Sequence, residues 1–78
     1  MITVRQLKAA RELISWRASD LAEQARISHP TIWRIEQGDG PIGGSRLSQE
    51  KIVAALKNAG VAFINGATQV GVVYRNEN

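Results

Sequence analysis

The segment Leu21–Gly38, LAEQARISHPTIWRIEQG, decides how this chain folds. Apolar residues recur at helical spacing on both sides of Arg26, and the break between the two runs is only a few residues long. Before the break, Ala18, Leu21, Ala22 and Ala25 fall at i, i+3, i+4 and i+7, a stripe of small side chains that lets a neighbouring helix approach closely. After it, Ser28 is a strong N-cap, and Ile27 and Ile32 stand where a hydrophobic staple places its two partners. The helix that Ser28 opens covers about residues 29–37 and stops at Gly38, the residue expected in the left-handed position past a helix end. Pro30 falls in the first turn, where the N–H it lacks has no intrahelical partner anyway. Ile32 and Ile35 set the inward side, so His29, Pro30, Trp33 and Arg34 point elsewhere. Trp33 has two readings: it covers the edge of the core, as large aromatics in small domains do, or it faces outward toward a partner.

Working outward, Thr3 and Gln6 form a capping box, with Ile2 and Leu7 as its staple. The helix that follows runs from about Val4 to Ile14, with Leu7, Ala10 and Ile14 inward. GDGPIGGSRL, at 38–47, holds four of the seven glycines and predicts a mobile loop. A further helix spans about Ser48 to Ala59, with Ile52, Ala55, Leu56 and Ala59 on one face and Gly60 closing it. VAFI and VGVVYR, β-branched and aromatic, flank NGATQ and predict a β-hairpin. The expectation is a mainly helical domain over residues 1–60, with a C-terminal β extension and short tail over 61–78. There is no internal repeat and no low-complexity segment.

Composition narrows the function classes. With 78 residues the chain is one domain, and a domain this small buries only about 60–65% of its unfolded surface. A partner subunit is one way to complete such a core. No cysteine is present, so there is neither a disulfide nor a thiolate metal site. The lone His29 has no second histidine or cysteine to complete a metal site, so no metal is expected. No nucleophile, base and orienting acid fall at suggestive spacing, and GDGPIGG follows a helix and lacks the lysine of a phosphate loop. An enzyme, a cofactor and a small-molecule ligand are therefore not expected. The start MITVRQLKAARE lacks the apolar core of a signal peptide, and no apolar run is long enough to span a membrane, so a cytoplasmic protein is expected. The net charge of +3 and pI near 10.0 permit a nucleic-acid partner without demanding one. The local balance says more. Between Gln24 and Ile35 there is no acid, while Arg26, His29 and Arg34 are present, which suits a phosphate-facing surface.

Two short helices around a tight break, the second firmly capped, make a helix-turn-helix. Over roughly Val4–Gly60 the chain resembles the small lambda-repressor/Cro-like, or XRE, family of transcriptional regulators. The resemblance rests on LAEQARIS, on TIWRIEQG with its Ile-Glu-x-Gly ending, and on the helices before and after; ALKNAGVAFI is also similar to the tail of many short stand-alone members. It implies a four-helix domain that binds double-stranded DNA sequence-specifically, with the third helix in the major groove, and that represses by occupying a promoter. On the same resemblance, the base-contacting positions are His29, Pro30, Thr31, Trp33 and Arg34, and the phosphate-contacting ones Arg17, Arg26, Ser28 and Arg46. Arg11 and Glu36 are implied to form a structural, partly buried ion pair. The chain departs from the family at three places. Arg17 and Ala18 stand where a hydroxyl cap and a glutamine are usual, with Ser15 or Ser19 as alternative starts for that helix. Arg26 replaces the glycine of the turn, and Pro30 replaces a hydrogen-bonding side chain. The alternative function is a protein-binding module on the same fold, antitoxin-like or antiactivator, since fold does not fix function.

An isolated two-stranded hairpin is marginal in water, and its edge is a template for pairing. Val61, Phe63, Val70, Val72 and Tyr74 are read as an apolar face that needs cover from the helix at about 48–59 or from a second subunit. The expectation is a two-fold homodimer to which residues 61–75 contribute across the interface, setting two reading helices roughly 34–36 Å apart; the alternative is a hairpin that packs only on its own helices, with dimerisation on DNA alone.

Overall fold

The computed structural model describes residues 2–75. Four helices are followed by an antiparallel hairpin: α1 (Val4–Leu13), α2 (Ala18–Ala25), α3 (His29–Glu36), α4 (Arg46–Asn58), β1 (Val61–Asn65) and β2 (Val70–Tyr74). The domain is mainly helical. The tail expected after Arg75 lies outside the described residues.

The capping box opens α1 as the sequence predicts. The Thr3 hydroxyl accepts the Gln6 N–H at 3.1 Å, and Gln6 Oε1 accepts the Thr3 N–H at 2.9 Å. Two helices then end the same way. After α1, Ser15 takes φ 58°, its N–H donates to the Glu12 carbonyl, and the Trp16 N–H donates to the Arg11 carbonyl at 2.9 Å. After α2, Arg26 takes φ 57°, its N–H donates to the Glu23 carbonyl, and the Ile27 N–H reaches back to the Ala22 carbonyl at 2.9 Å. Both are Schellman turns whose left-handed residue carries a side chain. Neither Ser15 nor Ser19 starts α2. Arg17 occupies the N-cap position, and the Asp20 carboxylate accepts its N–H at 2.8 Å, so an acid three residues inside the helix supplies half of a capping box.

Gly38 does not take the expected left-handed conformation. Positive φ falls instead on Gly40 (70°) and Gly44 (87°). The chain leaves α3 by tightening its last turn: Gln37 N–H donates to the Trp33 and Arg34 carbonyls, and Gly38 N–H to that of Ile35 at 3.1 Å. The glycine-rich loop, expected to be mobile, is pinned to the N-terminal segment. Val4 N–H donates to the Gly40 carbonyl at 2.9 Å, Ile42 N–H donates to that of Ile2 at 3.1 Å, and the Ile42 side chain is buried. The Gln49 amide also donates to the Ile42 carbonyl at 3.1 Å. α4 starts two residues earlier than predicted because Ser45 caps it, its hydroxyl accepting the Ser48 N–H at 3.0 Å.

Leu7, Leu21, Ile32, Ile52 and Leu56 are fully enclosed, so every helix contributes to one core, each such side chain adding about 1.5–3 kcal/mol. The hairpin joins this core. Val61 is buried, and Phe63 and Val72 pack against the core from the sheet. Its register pairs Val61 with Tyr74, Phe63 with Val72 and Asn65 with Val70. The buried Gln6 amide donates to the carbonyls of Ile64 (3.1 Å) and Gly71 (3.0 Å), which face each other across the strands. One side chain thus caps α1 and fastens the hairpin to it.

Candidate nucleic-acid interface

The outer face of α3 owes its position to a buried ion pair on the opposite side. Glu36, at the last turn, accepts two bonds from Arg11 on α1: Nε to Oε2 at 2.7 Å and Nη2 to Oε1 at 2.9 Å. Arg11 Nη1 donates to the Trp16 carbonyl at 3.0 Å. This is the planar, two-pronged geometry that a guanidinium makes with a carboxylate, and the two side chains are 17% and 8% exposed. It holds the C-terminal end of α3 against α1 while Ile32 and Ile35 anchor the helix along its length.

The face turned away from the core carries the residues singled out in the sequence. His29, Pro30, Trp33 and Arg34 are exposed, and Thr31 is half-buried. Trp33 is 59% exposed, so it does not cover the core edge. Ser28 and Thr31 are linked, with their hydroxyl oxygens 2.7 Å apart and the Thr31 N–H donating to Ser28 Oγ. Whichever hydroxyl donates in that pair, one O–H of the two stays free to point outward. Among the described residues, neither Arg26 nor Arg34 has a carboxylate within 4.0 Å. Arg17 approaches Asp20 at 3.6 Å and Arg46 approaches Glu50 at 3.6 Å, but both arginines are more than 80% exposed. Such pairs contribute about 0–1 kcal/mol, so a phosphate can take over either arginine. Arg17 stands at the start of α2, Arg26 at the turn into α3, and Arg46 at the start of α4, just beyond the glycine loop. That loop and α3 border a shallow groove lined by Thr31, Arg34, Gly38, Asp39, Gly43 and Gly44.

The five hairpin residues do not share one exposed surface. Val61, Phe63 and Val72 are covered by the chain's own helices, one of the two kinds of cover the sequence allows. Val70 (63%) and Tyr74 (37%) remain exposed, and on the opposite face so do Ile64 and Val73. The alternation places Val61 inward at the helix-proximal end of β1, where α4 meets the sheet.

Two contributions were not legible beforehand. Gln6 reads as a cap, and nothing local announces its reach to the hairpin some 60 residues away. Gln49 reads as a polar helix residue, yet it organises the glycine loop beside α3. Among the described residues there is no group of three or more His, Cys, Asp or Glu side chains placed to hold a metal, and no helix is long and apolar enough to cross a membrane. No protein-family model matches the chain, and comparison with curated proteins finds no match.

Proposed function

We propose that α2, its left-handed turn and α3 form a DNA-binding helix-turn-helix of the lambda-repressor/Cro-like kind, and that the protein is a sequence-specific repressor. One observation carries the reading. The outer face of α3 carries a largely exposed indole and Arg34, and the turn before α3 carries Arg26; neither arginine has a carboxylate partner among the described residues. A surface that leaves guanidinium groups unneutralised beside an exposed aromatic suits a polyanion with flat, stacked edges.

The dimensions suit the groove. α3 has eight residues and so is about 12 Å long, comparable with the roughly 12 Å width of the major groove. Its first two turns present His29, Pro30, Trp33 and Arg34. Arg34 offers the two-pronged donor set that matches guanine O6 and N7, and Trp33 offers apolar area to a thymine methyl. Thr31 or Ser28 contributes the remaining hydroxyl, and Arg17, Arg26 and Arg46 take phosphates. With Pro30 at a reading position, discrimination falls mainly on Trp33 and Arg34. Repression follows from occupancy, since a promoter covered by the protein is closed to other proteins.

Tryptophan is also enriched among the residues that anchor protein–protein interfaces, and the exposure of Trp33 supports the second reading, a protein-binding module. Titration of the full chain against a random-sequence duplex at 50 and 200 mM salt separates the two. A DNA-binding protein with three or four phosphate contacts loses about tenfold or more in affinity across that range. Absence of binding at 50 mM salt would remove the DNA reading and leave the protein-binding one.

A further inference from the structure

Hydrogen-bonding side chains are scarce on the outer face of α3, and what is missing limits which base edges the helix can read. In the major groove adenine shows a donor beside an acceptor and suits an amide; cytosine shows a donor and suits a carboxylate; guanine shows two acceptors and suits paired donors. The segment HPTIWRIE has no amide, and Gln37 follows it only at the C-cap. Its one carboxylate, Glu36, is buried and takes both of its bonds from Arg11. His29 and the linked hydroxyls of Ser28 and Thr31 add single hydrogen bonds, which no one base requires. Arg34 alone has the paired donors, and they suit guanine.

The rest of the face is apolar. Pro30 and Trp33 are both exposed and stand three residues apart, and Arg34 stands four from Pro30. Side chains at these spacings are neighbours on a helix, with Cβ atoms about 5–6 Å apart, so an apolar ridge runs directly beside the guanidinium. The apolar group that a major groove offers is the methyl on C5 of thymine. 5-Methylcytosine carries the same group on the same carbon, whereas cytosine and uracil have only a hydrogen there.

We propose that Trp33, flanked by Pro30, is a specificity-determining residue that reads the C5 methyl of a pyrimidine, thymine and 5-methylcytosine alike, in the base pair next to the guanine held by Arg34. The proposal rests on the DNA reading of α3 and names what that helix selects. Enclosing one methyl group against the indole raises affinity about fourfold. Methylation of a cytosine at this place therefore strengthens binding, and the methyl state of the DNA becomes an input to how fully the protein occupies it.

Single-group changes in the DNA test it. The probe is the tightest duplex selected by the full chain from a random pool, titrated at 50 mM salt with each thymine replaced in turn by deoxyuridine. At one thymine, beside the guanine whose preference Arg34→Ala relaxes, the loss of the methyl weakens binding about fourfold. With a C·G pair at that same place, 5-methylcytosine binds about fourfold more tightly than cytosine. Trp33 is exposed, so Trp33→Ala leaves the core intact, as circular dichroism checks, and it brings both ratios to one. Arg34→Ala binds more weakly but keeps both ratios. Absence of binding to any duplex removes the DNA reading and this proposal together. Binding with either ratio at one in the wild type, a sensitive thymine away from that guanine, or ratios that persist in Trp33→Ala would overturn this proposal alone and leave the DNA reading standing.

Discussion

Ser15 and Arg26 hold φ of 58° and 57°, where glycine is the usual occupant. A side chain in that conformation costs about 1–2 kcal/mol. Arg26→Gly relieves this strain but adds freedom to the unfolded chain, which takes back about 0.5–1 kcal/mol. The net expectation is a gain of about 0.5 kcal/mol in stability, read by urea denaturation. Under the proposed function the same change weakens binding to every duplex alike and lowers the salt slope by about one. A variant that is more stable and binds DNA undiminished would remove Arg26 from the interface. Arg34→Ala behaves differently: it weakens binding to a selected duplex by about 1–3 kcal/mol and relaxes preference at one base position. Equal losses on selected and random duplexes would make Arg34 a phosphate contact.

At the scale of elements, two polar tethers set the geometry. The Arg11–Glu36 pair joins α1 to α3, and removing one partner leaves a desolvated charge behind. Glu36→Ala is expected to destabilise by about 3 kcal/mol or more, and Arg11→Ala/Glu36→Ala by less than the sum of the single changes, as thermal or urea unfolding of the four proteins reads. Additive losses would mean that the two side chains act separately. Gln6 joins α1 to the hairpin. Gln6→Ala is expected to cost about 1–3 kcal/mol, and Gln6→Glu, which sets an acceptor against two carbonyl oxygens, costs more at neutral pH. Amide exchange in β1 and β2 should speed up in both variants, and unchanged exchange would show that the hairpin holds without the clamp. These tethers mark where sequence reading stops. The helices were legible because caps and apolar periodicity are local: Thr3–Gln6, the Ile27–Ile32 staple and the 3.6-residue stripe all lie within one or two turns. The hairpin was legible from NGATQ between two β-branched runs. The covered face of that hairpin, the pinned glycine loop and the missing left-handed Gly38 were not, because each depends on a distant partner: α1 and α4 for Val61, Phe63 and Val72, Ile2 for Ile42, and the tightened last turn of α3 for Gly38. The outward position of Trp33 was open in the sequence for the same reason.

For the whole molecule, a modest net charge of +3 says little about partners. The placement of charge says more: the acid at the end of α3 is turned inward and neutralised, while Arg26 and Arg34 stand outside with an indole between them in sequence. The central claim is that this face reads DNA. Its most direct test is amide chemical-shift mapping of the full chain during addition of a short duplex at low salt, with the two indole N–H signals of Trp16 and Trp33 as internal reporters. The account predicts that the largest shifts fall on residues 26–34 and on the Trp33 indole, while the half-buried Trp16 indole and the outer face of the hairpin, Ala62 and Val73, stay where they were. Shifts centred on Lys57, Arg75 and the hairpin, or no shifts at all, would contradict it.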